Sequence, residues 1–253
     1  MQPLTAAGRQ IHHVVLPPFE PEGITDVQLL AQKRKAHAKS GVMRGLSQAA
    51  PDDLVIVSDL DEIPRHEVID QLARCTGWTA PVELVTTPFI YDFGCPETQP
   101  FYKKEWRRAK VVYRKELEAD CDGALDGAVC VDELRDDQRL GLGLFRIPTS
   151  ITRAGWHMSY FMSEEKIQEK IGSYAHVERD TAANRDINRI RCYIYECKHF
   201  NQKDYGYRSL HASHGPEWVH HQAFVERNPT YLEYYERPLD PDACRRFNAG
   251  ASK

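Results

Sequence analysis

The fold is decided by the stretch Leu54-Val55-Ile56-Val57-Ser58-Asp59-Leu60-Asp61-Glu62-Ile63-Pro64. It begins with a run of aliphatic residues and continues directly into three carboxylates. An unbroken aliphatic run is typical of a strand that is buried on both faces of a sheet. In open α/β sheets, ligands bind beyond the carboxyl ends of the strands. We therefore predict an α/β fold with a strand over 53–58 and a functional site immediately after it.

The two aspartates of this stretch indicate a metal site. Asp59 and Asp61 are two positions apart, so in an extended chain their side chains point the same way. Neighbouring carboxylates repel each other unless a cation lies between them. Hard cations such as Mn²⁺ and Mg²⁺ bind such oxygens and keep positions open for substrate phosphates. The alternative is that Asp61 or Glu62 only caps the helix that follows Pro64.

Two metal–phosphate chemistries fit an Asp-x-Asp pair in this place. One is glycosyl transfer from a nucleotide-sugar. The other is phosphoryl transfer in a haloacid-dehalogenase-like phosphatase, in which the first Asp is the nucleophile. The phosphatase pattern has Thr or Val two residues after the second Asp, where this chain has Ile63. It also needs a downstream Lys and paired Asp, which the sequence does not offer, so the phosphatase ranks second.

Hydrophobic patterns on either side of the stretch predict alternating strands and helices, which is typical of the α/β class. The strands are expected at 11–16, 82–91, 106–113 and 143–147. Helices are expected at 25–49, from Pro64 through Leu72, from a Ser163 cap onward with Ile167 and Ile171 on its apolar face, at 184–196 and at 216–227. Residues 116–143 are rich in Asp, Gly and Glu, and we expect a long surface excursion there.

Composition restricts the class of protein. The chain has 253 residues, 42% hydrophobic and 28% charged, which allows one large domain or two small ones. A net charge of −4 gives no general attraction to nucleic acid. No apolar run approaches the ~20 residues of a membrane span, and the first residues lack the apolar core of a signal peptide. The compartment is left open: cytoplasm for a microbial protein, Golgi lumen if an anchor precedes Met1.

For the seven cysteines, the favoured interpretation is that they are reduced thiols in a cytosolic enzyme. Their number is odd and no Cys-x-x-Cys pair occurs, which argues against a zinc ribbon. Cys121 and Cys130 flank a short stretch and would be able to bridge in an oxidising compartment. The sequence does not decide between these interpretations.

Three blocks of sequence resemble glycosyltransferase family 17, the family of bisecting N-acetylglucosaminyltransferases and their microbial relatives. The first is Pro51–Pro64, preceded by Met43-Arg44-Gly45-Leu46. The second is Ala154–Tyr160, followed by Glu165-Lys166-Ile167, Glu169-Lys170-Ile171 and Ala175-His176. The third is Arg185-Asp186-Ile187-Asn188 with Pro229-Thr230-Tyr231-Leu232. The first two blocks together are specific, whereas the third alone is weak.

The resemblance implies a GT-A-like nucleotide-sugar transferase fold in a single domain over 1–253. It also implies a UDP-N-acetylglucosamine donor, a divalent cation, for which we expect Mn²⁺ rather than Mg²⁺, and inverting transfer to a glycan acceptor such as a mannose residue. Asp59 and Asp61 match the family's Asp-x-Asp, with Glu62 beside them as a further candidate ligand. Asp61 is also expected to be catalytic through the cation.

Two further residues of the second block are candidates for the site. His157 is expected to bind donor and metal, since neutral imidazole is a common ligand; the alternative is a structural histidine. Glu165 is a candidate for the base that takes the acceptor's proton, although a helix-terminal role is favoured.

The basic stretch Lys103 to Lys110, with Trp106, would suit a diphosphate or an RNA strand, but a solvated strand face is the favoured interpretation.

One departure from the family concerns the start of the chain. The family begins with a strand, a helix and a second strand that supply part of the nucleotide pocket. This chain starts after them, near Gln2-Pro3-Leu4, so we expect an N-terminally incomplete domain that lacks this unit. The strand 54–57 would then have an unpaired edge or a poorly covered face. A further alternative is accordingly a non-catalytic sugar-binding remnant.

Overall fold

The computed structural model describes residues 14–20, 41–96, 105–121, 149–173, 179–199 and 239–251, with short pieces between 23 and 38 and residues 131, 134 and 135. The strand expected at 143–147 and the helix expected at 216–227 lie outside these residues. So does Cys130, one half of the bridge considered with Cys121.

The described elements confirm the α/β class, with helices and strands mixed along the chain. The strands are β1 Leu54–Val57, β2 Glu62–Pro64, β3 Val82–Ile90, β4 Trp106–Tyr113 and β5 Thr149–Ser159. The helices are α1 Val42–Gly45, α2 His66–Arg74, α3 Arg114–Cys121, α4 Glu164–Ser173, α5 Ile187–Glu196 and α6 Ala243–Ala251. Within the part of the chain that is described, no helix combines the length and apolarity needed to cross a membrane.

The five strands have the order β1-β4-β3-β5-β2. β1 runs antiparallel to β4, with Val55 opposite Val112, and β2 runs antiparallel to β5, with Glu62 opposite His157. The chain divides into two compact units. The first is Met1–Val57, Gly77–Glu83 and Lys110–Thr149; the second is Ser58–Thr76, Leu84–Ala109 and Ser150–Lys253. β3 and β4 contribute residues to both.

In the first unit, the aliphatic strand β1 packs one face on the core. Val55 and Val57 are buried, whereas Ile56 is 38% exposed. Successive side chains of a strand point to opposite faces, so only the odd-numbered valines reach the core. The expectation of burial on both faces is therefore wrong, because the buried cluster that contains Val55 and Val57 lies against one face of β1. The expected incompleteness of the domain stays a prediction.

The N-terminal elements differ from their prediction in two places. The helix expected over 25–49 ends at Gly45, and residues 46–49 form turns and a bend. Val14–Leu16 form no regular structure, so the predicted strand is wrong over these residues. Their side chains instead approach Gly41, where an added Cβ would lie 3.3 Å from both Val14 and Leu16. Helical residues do occur at 29–30, 33–34 and 37–38, and Asp26 caps them by accepting a hydrogen bond from the backbone of Leu29 at 2.7 Å.

Part of the segment 116–143 belongs to the core of the first unit. Leu117 lies on α3, and with Val131 and Leu134 it is fully buried against Val55, Val57 and Val112. At these three positions the segment is therefore not a surface excursion, because its few apolar side chains are the ones that cover β1. Apart from 131, 134 and 135, residues 122–148 are not described.

In the second unit, α4 and α5 build the core with the ends of β3 and β5. Ser163 accepts a hydrogen bond from the backbone of Lys166 at 3.3 Å, and Ile167 and Ile171 are buried, as the sequence predicts. Asp186 caps α5 by accepting from the backbone of Arg189 at 2.9 Å. Both helices contribute buried side chains to the core of the second unit.

Two disulfides also lie in the second unit. They join Cys95 to Cys197 and Cys192 to Cys244. The expectation of reduced thiols is therefore wrong for these four residues. Pairing partners are 102 and 52 residues apart in sequence, so local spacing gives no sign of them.

Gly155 allows β2 and β5 to approach each other. A Cβ at this position would overlap the carbonyl oxygen of Ile63 and lie 2.8 Å from the Cα of Pro64. We expect Gly155→Ala to lower the free energy of unfolding by about 1–3 kcal/mol, because backbone atoms cannot yield as a flexible side chain would. Urea denaturation measures the effect.

Gly45→Ala is the matched control for Gly155→Ala. Gly45 ends α1, and its added Cβ would make only an ordinary contact of 3.6 Å with Val14. Alanine should leave stability unchanged or raise it slightly, since it is the better helix former. Equal stability of the two variants would show that Gly155 is not required by strand packing.

Candidate active site

The turn between β1 and β2 presents the two aspartates. The backbone amide of Glu62 donates to the carbonyl oxygen of Asp59 at 3.0 Å. The backbone amide of Asp59 in turn donates to Oε2 of Glu62 at 2.8 Å. This reciprocal pair fixes a tight turn, with Leu60 at its tip, 97% exposed. The turn, not an extended strand end, carries Asp59 and Asp61.

Glu62 faces inward and holds the turn together. Its side chain is buried, and its Oε1 accepts a hydrogen bond from Nε1 of Trp106 at 2.7 Å. Its other oxygen accepts from the amide of Asp59, so both oxygens bind protein donors. A buried carboxylate needs such partners. The geometry therefore gives Glu62 the part of a positioning residue, whereas its role as an additional metal ligand stays a prediction.

His157 lies beside Asp61. Its ring stacks on Trp106, with centroids 4.0 Å apart and planes 17° apart. Nε2 lies 3.1 Å from Oγ of Ser159 and 3.9 Å from Oδ1 of Asp61. Nδ1 is buried and makes no hydrogen bond with the part of the chain that is described. The antiparallel pairing of β2 with β5 is what brings this histidine to the turn.

Burial keeps the imidazole of His157 neutral. Removal from water lowers its pKa from 6.5 to about 4, and the positive charges of Lys170 and Arg108 act in the same direction. Asp61 and Asp59 oppose this shift, which shows that both carboxylates act on the ring. At neutral pH the ring is therefore in the form that can bind a metal ion.

Lys170 is the site residue that the sequence did not single out. Its Nζ lies 3.4 Å from Oδ2 of Asp61 and 4.7 Å from the centre of the Tyr160 ring. Lys170 belongs to the second resemblance block, but the pattern of α4 marks it only as a polar helix position. The long side chain of Lys170 brings its amine from α4 to Asp61.

The basic stretch on β4 is not a uniform solvated face. Lys110 is fully buried, and its Nζ donates to Oε2 of Glu83 at 3.2 Å, so the favoured interpretation is wrong there. Arg107 pairs with Glu105, and the guanidinium of Arg108 lies 5.1 Å from the centre of the Trp106 ring. The positive charge of Arg108 acts on His157, where it lowers the pKa of the imidazole. Lys103 and Lys104 lie outside the described residues.

Glu165 is exposed in the first turn of α4. Hydrogen bonds from its own backbone amide and from Ser163 lower the pKa of its carboxyl group. A general base at neutral pH is served by a raised pKa, so this environment works against that role. The arrangement is what the helix-terminal interpretation predicts.

The side chains of Asp59, Asp61 and His157 carry donor atoms that suit a divalent cation, but these atoms do not all lie within 4.8 Å of one another. Within the described ranges, three potential ligand atoms lie within 4.8 Å of one another only at Cys192, Glu196 and Cys244, where the two sulfurs are bonded together. At the turn, two carboxylates and a neutral imidazole are the ligand types that Mn²⁺ accepts. Asp59 and Asp61 would hold the ion, with His157 adjacent, and Asp61 would give up its ion pair with Lys170.

The two hydrogen bonds of Glu62 give a prediction about stability. We expect Glu62→Gln to lower the free energy of unfolding by about 1–3 kcal/mol, since an amide can accept only one of the two bonds and leaves a buried donor unsatisfied. Glu62→Ala removes both acceptors and should cost about twice as much. The exposed Glu67 of α2 supplies the control, as Glu67→Gln should have no measurable effect. If chemical denaturation gave Glu62→Ala the same free energy of unfolding as Glu67→Gln, the positioning role of Glu62 would be contradicted.

Comparison with known proteins gives one match. Residues 7–122 match the family model of Glycosyltransferase family 17. The match includes the turn with Asp59 and Asp61, and also Trp106 and Arg108; His157 and Lys170 follow it in the chain. No curated protein and no solved structure matches the chain.

Proposed function

We propose, from the match of residues 7–122 to the model of glycosyltransferase family 17, that the chain is a glycosyltransferase that moves N-acetylglucosamine from UDP-N-acetylglucosamine to a mannose-type glycan, with inversion and with Mn²⁺ as cofactor. The observation that carries the proposal is the position of Asp61. It lies on the turn with Asp59, 3.9 Å from His157 and 3.4 Å from Lys170. Carboxylates, a neutral imidazole and a cation are the groups that a metal–diphosphate donor needs.

Asp59 and Asp61 would hold the cation, which when bound offsets charge on the departing UDP. Glu62 keeps the turn in place through Trp106 and the amide of Asp59. The Trp106 ring supports His157 from one side and excludes water from it. These contacts pre-organise the donor side of the site.

Inverting transfer also needs a base for the acceptor hydroxyl. Glu165 was the candidate, but its lowered pKa and exposure suit a helix terminus instead. We therefore assign the donor side of the site to described residues and do not assign the base to Glu165.

The disulfides bear on where transfer takes place. Bonds such as Cys95–Cys197 and Cys192–Cys244 form and persist in oxidising compartments. Such a compartment is also where glycans on secreted proteins are available as acceptors. We accordingly place the enzyme in an oxidising compartment as part of the proposal.

Calorimetric titration tests the donor and the cation together. UDP should bind in Mn²⁺ and lose at least about tenfold in affinity in EDTA, because its diphosphate would lose the bridging ion. Binding of a mannose-type oligosaccharide with no binding of UDP would instead support the non-catalytic remnant. Hydrolysis of p-nitrophenyl phosphate would support the phosphatase.

A further inference from the structure

Lys170 places its Nζ 3.4 Å from Oδ2 of Asp61, on the aspartate turn. We propose that Lys170 binds the diphosphate of the donor, and that it leaves Asp61 for a phosphate oxygen when the divalent cation takes its place. This inference rests on the function proposed above, and it names a residue that lies beyond the family match.

The position of the Lys170 amine would allow it to exchange its contact with Asp61 for another one. The Lys170 side chain is 31% exposed, and its Nζ lies 3.4 Å from Oδ2 of Asp61, a longer separation than that of a short, charge-assisted hydrogen bond. The face of the Tyr160 ring, 4.7 Å away, offers a second favourable contact. The backbone of Lys170 is fixed because Ile167 and Ile171 anchor α4 in the core. A flexible four-carbon stem can therefore carry the charge a short way while the helix stays still.

Charge balance gives the direction of the movement. Without donor and metal, Lys170 neutralises part of the charge of Asp61. A divalent cation bound by Asp61 would face the ammonium group across a few ångströms and repel it. The diphosphate that arrives with the cation offers new oxygens, and lysine binds phosphate as a point charge. Arg108 is less suited, because its guanidinium is packed over the Trp106 ring.

Two titrations of Lys170→Met separate this role from a structural one. With Mn²⁺ alone, the variant should bind the ion about threefold or more tightly, because Asp61 has lost its competing cation. With UDP in saturating Mn²⁺, the variant should bind about 10- to 100-fold more weakly, as expected for the loss of one hydrogen bond to a charged group. General damage to the site would weaken both.

Lys170→Arg and Lys166→Met are the controls. Lys170→Arg keeps the charge and should retain UDP binding within about threefold. Lys166 lies on the same helix, 66% exposed and paired with Glu169, so Lys166→Met should match the wild-type protein in both titrations. Circular dichroism and urea denaturation of each variant report on folding.

The outcomes are distinguishable. If the wild-type protein binds UDP in Mn²⁺ and Lys170→Met binds it with the same affinity, this inference is overturned and the proposed function stands. Parallel loss of Mn²⁺ and UDP binding in Lys170→Met would also overturn it, since that is the result of a structural role. A wild-type protein that fails to bind UDP would overturn the proposed function, and the inference with it.

Discussion

Asp61→Asn should lower the rate of sugar transfer by about 10²–10³-fold and leave the protein folded. Asparagine keeps the size of the side chain but removes the charge that would hold the cation and that now pairs with Lys170. Loss of one group that stabilises developing charge has effects of this order. The side chain is 29% exposed, so the change should have little effect on stability.

The measurement is the rate of UDP release from UDP-N-acetylglucosamine in the presence of acceptor, over a range of Mn²⁺ concentrations. Asp70→Asn on α2 is the matched control, because that aspartate is exposed and pairs only locally with Arg74. If Asp61→Asn transferred sugar at the rate of Asp70→Asn, Asp61 would have no part in holding the cation.

Removal of the Cys95–Cys197 bridge by a double Cys→Ser substitution should destabilise the protein by about 4–5 kcal/mol. The bridge joins residues 102 apart in sequence, and closing a loop of this length restricts the unfolded chain by about that amount. This is a large part of the 5–15 kcal/mol that ordinary domains have. Both cysteines are buried in the cluster around α5, so partial reduction should be slow.

Thermal and urea unfolding of the oxidised wild-type protein and of the Cys95→Ser/Cys197→Ser variant give the difference. The control is Cys75→Ser, since Cys75 is exposed and lies just after α2. An unfolding midpoint of the double variant equal to that of Cys75→Ser would show that the bridge does not stabilise the fold.

The sequence predicts the elements whose pattern is local. β3 and β4 appear within a residue of their predicted bounds because each combines β-branched and aromatic residues over an ordinary strand length. The start of α4 follows from Ser163, whose hydroxyl finds the amide three residues on. Such interactions depend on neighbours in the chain and are therefore visible in it.

What the sequence does not reveal depends on contacts between distant residues. Lys110 belongs to a basic stretch in the sequence, and its ion pair with Glu83 on the neighbouring strand β3 accompanies its burial. The two disulfides are invisible for the same reason. Exposed Ile56 shows the converse: an aliphatic run predicts burial, but whether both faces of β1 are covered depends on residues elsewhere in the chain.

The candidate site divides in the same way. The spacing of Asp59 and Asp61 and their place after a strand predict a site, and their role as metal ligands stays a prediction. The buried position of Glu62 is not visible in the sequence, because its partner Trp106 lies on β4, 44 residues away. The ion pair of Lys170 with Asp61 is not visible either, because a helix pattern does not tell which lysine reaches an aspartate on another element.

The most direct test is a transfer reaction with UDP-N-acetylglucosamine and a mannose-type oligosaccharide, run in Mn²⁺ and in EDTA, with the product identified by NMR. The donor sugar is α-linked to UDP, so the proposed function predicts a new β-linked N-acetylglucosamine, one UDP for each linkage formed, and loss of both in EDTA. Equal transfer in EDTA, an α-linked product, or UDP binding with no transfer to any mannose-type acceptor would contradict it.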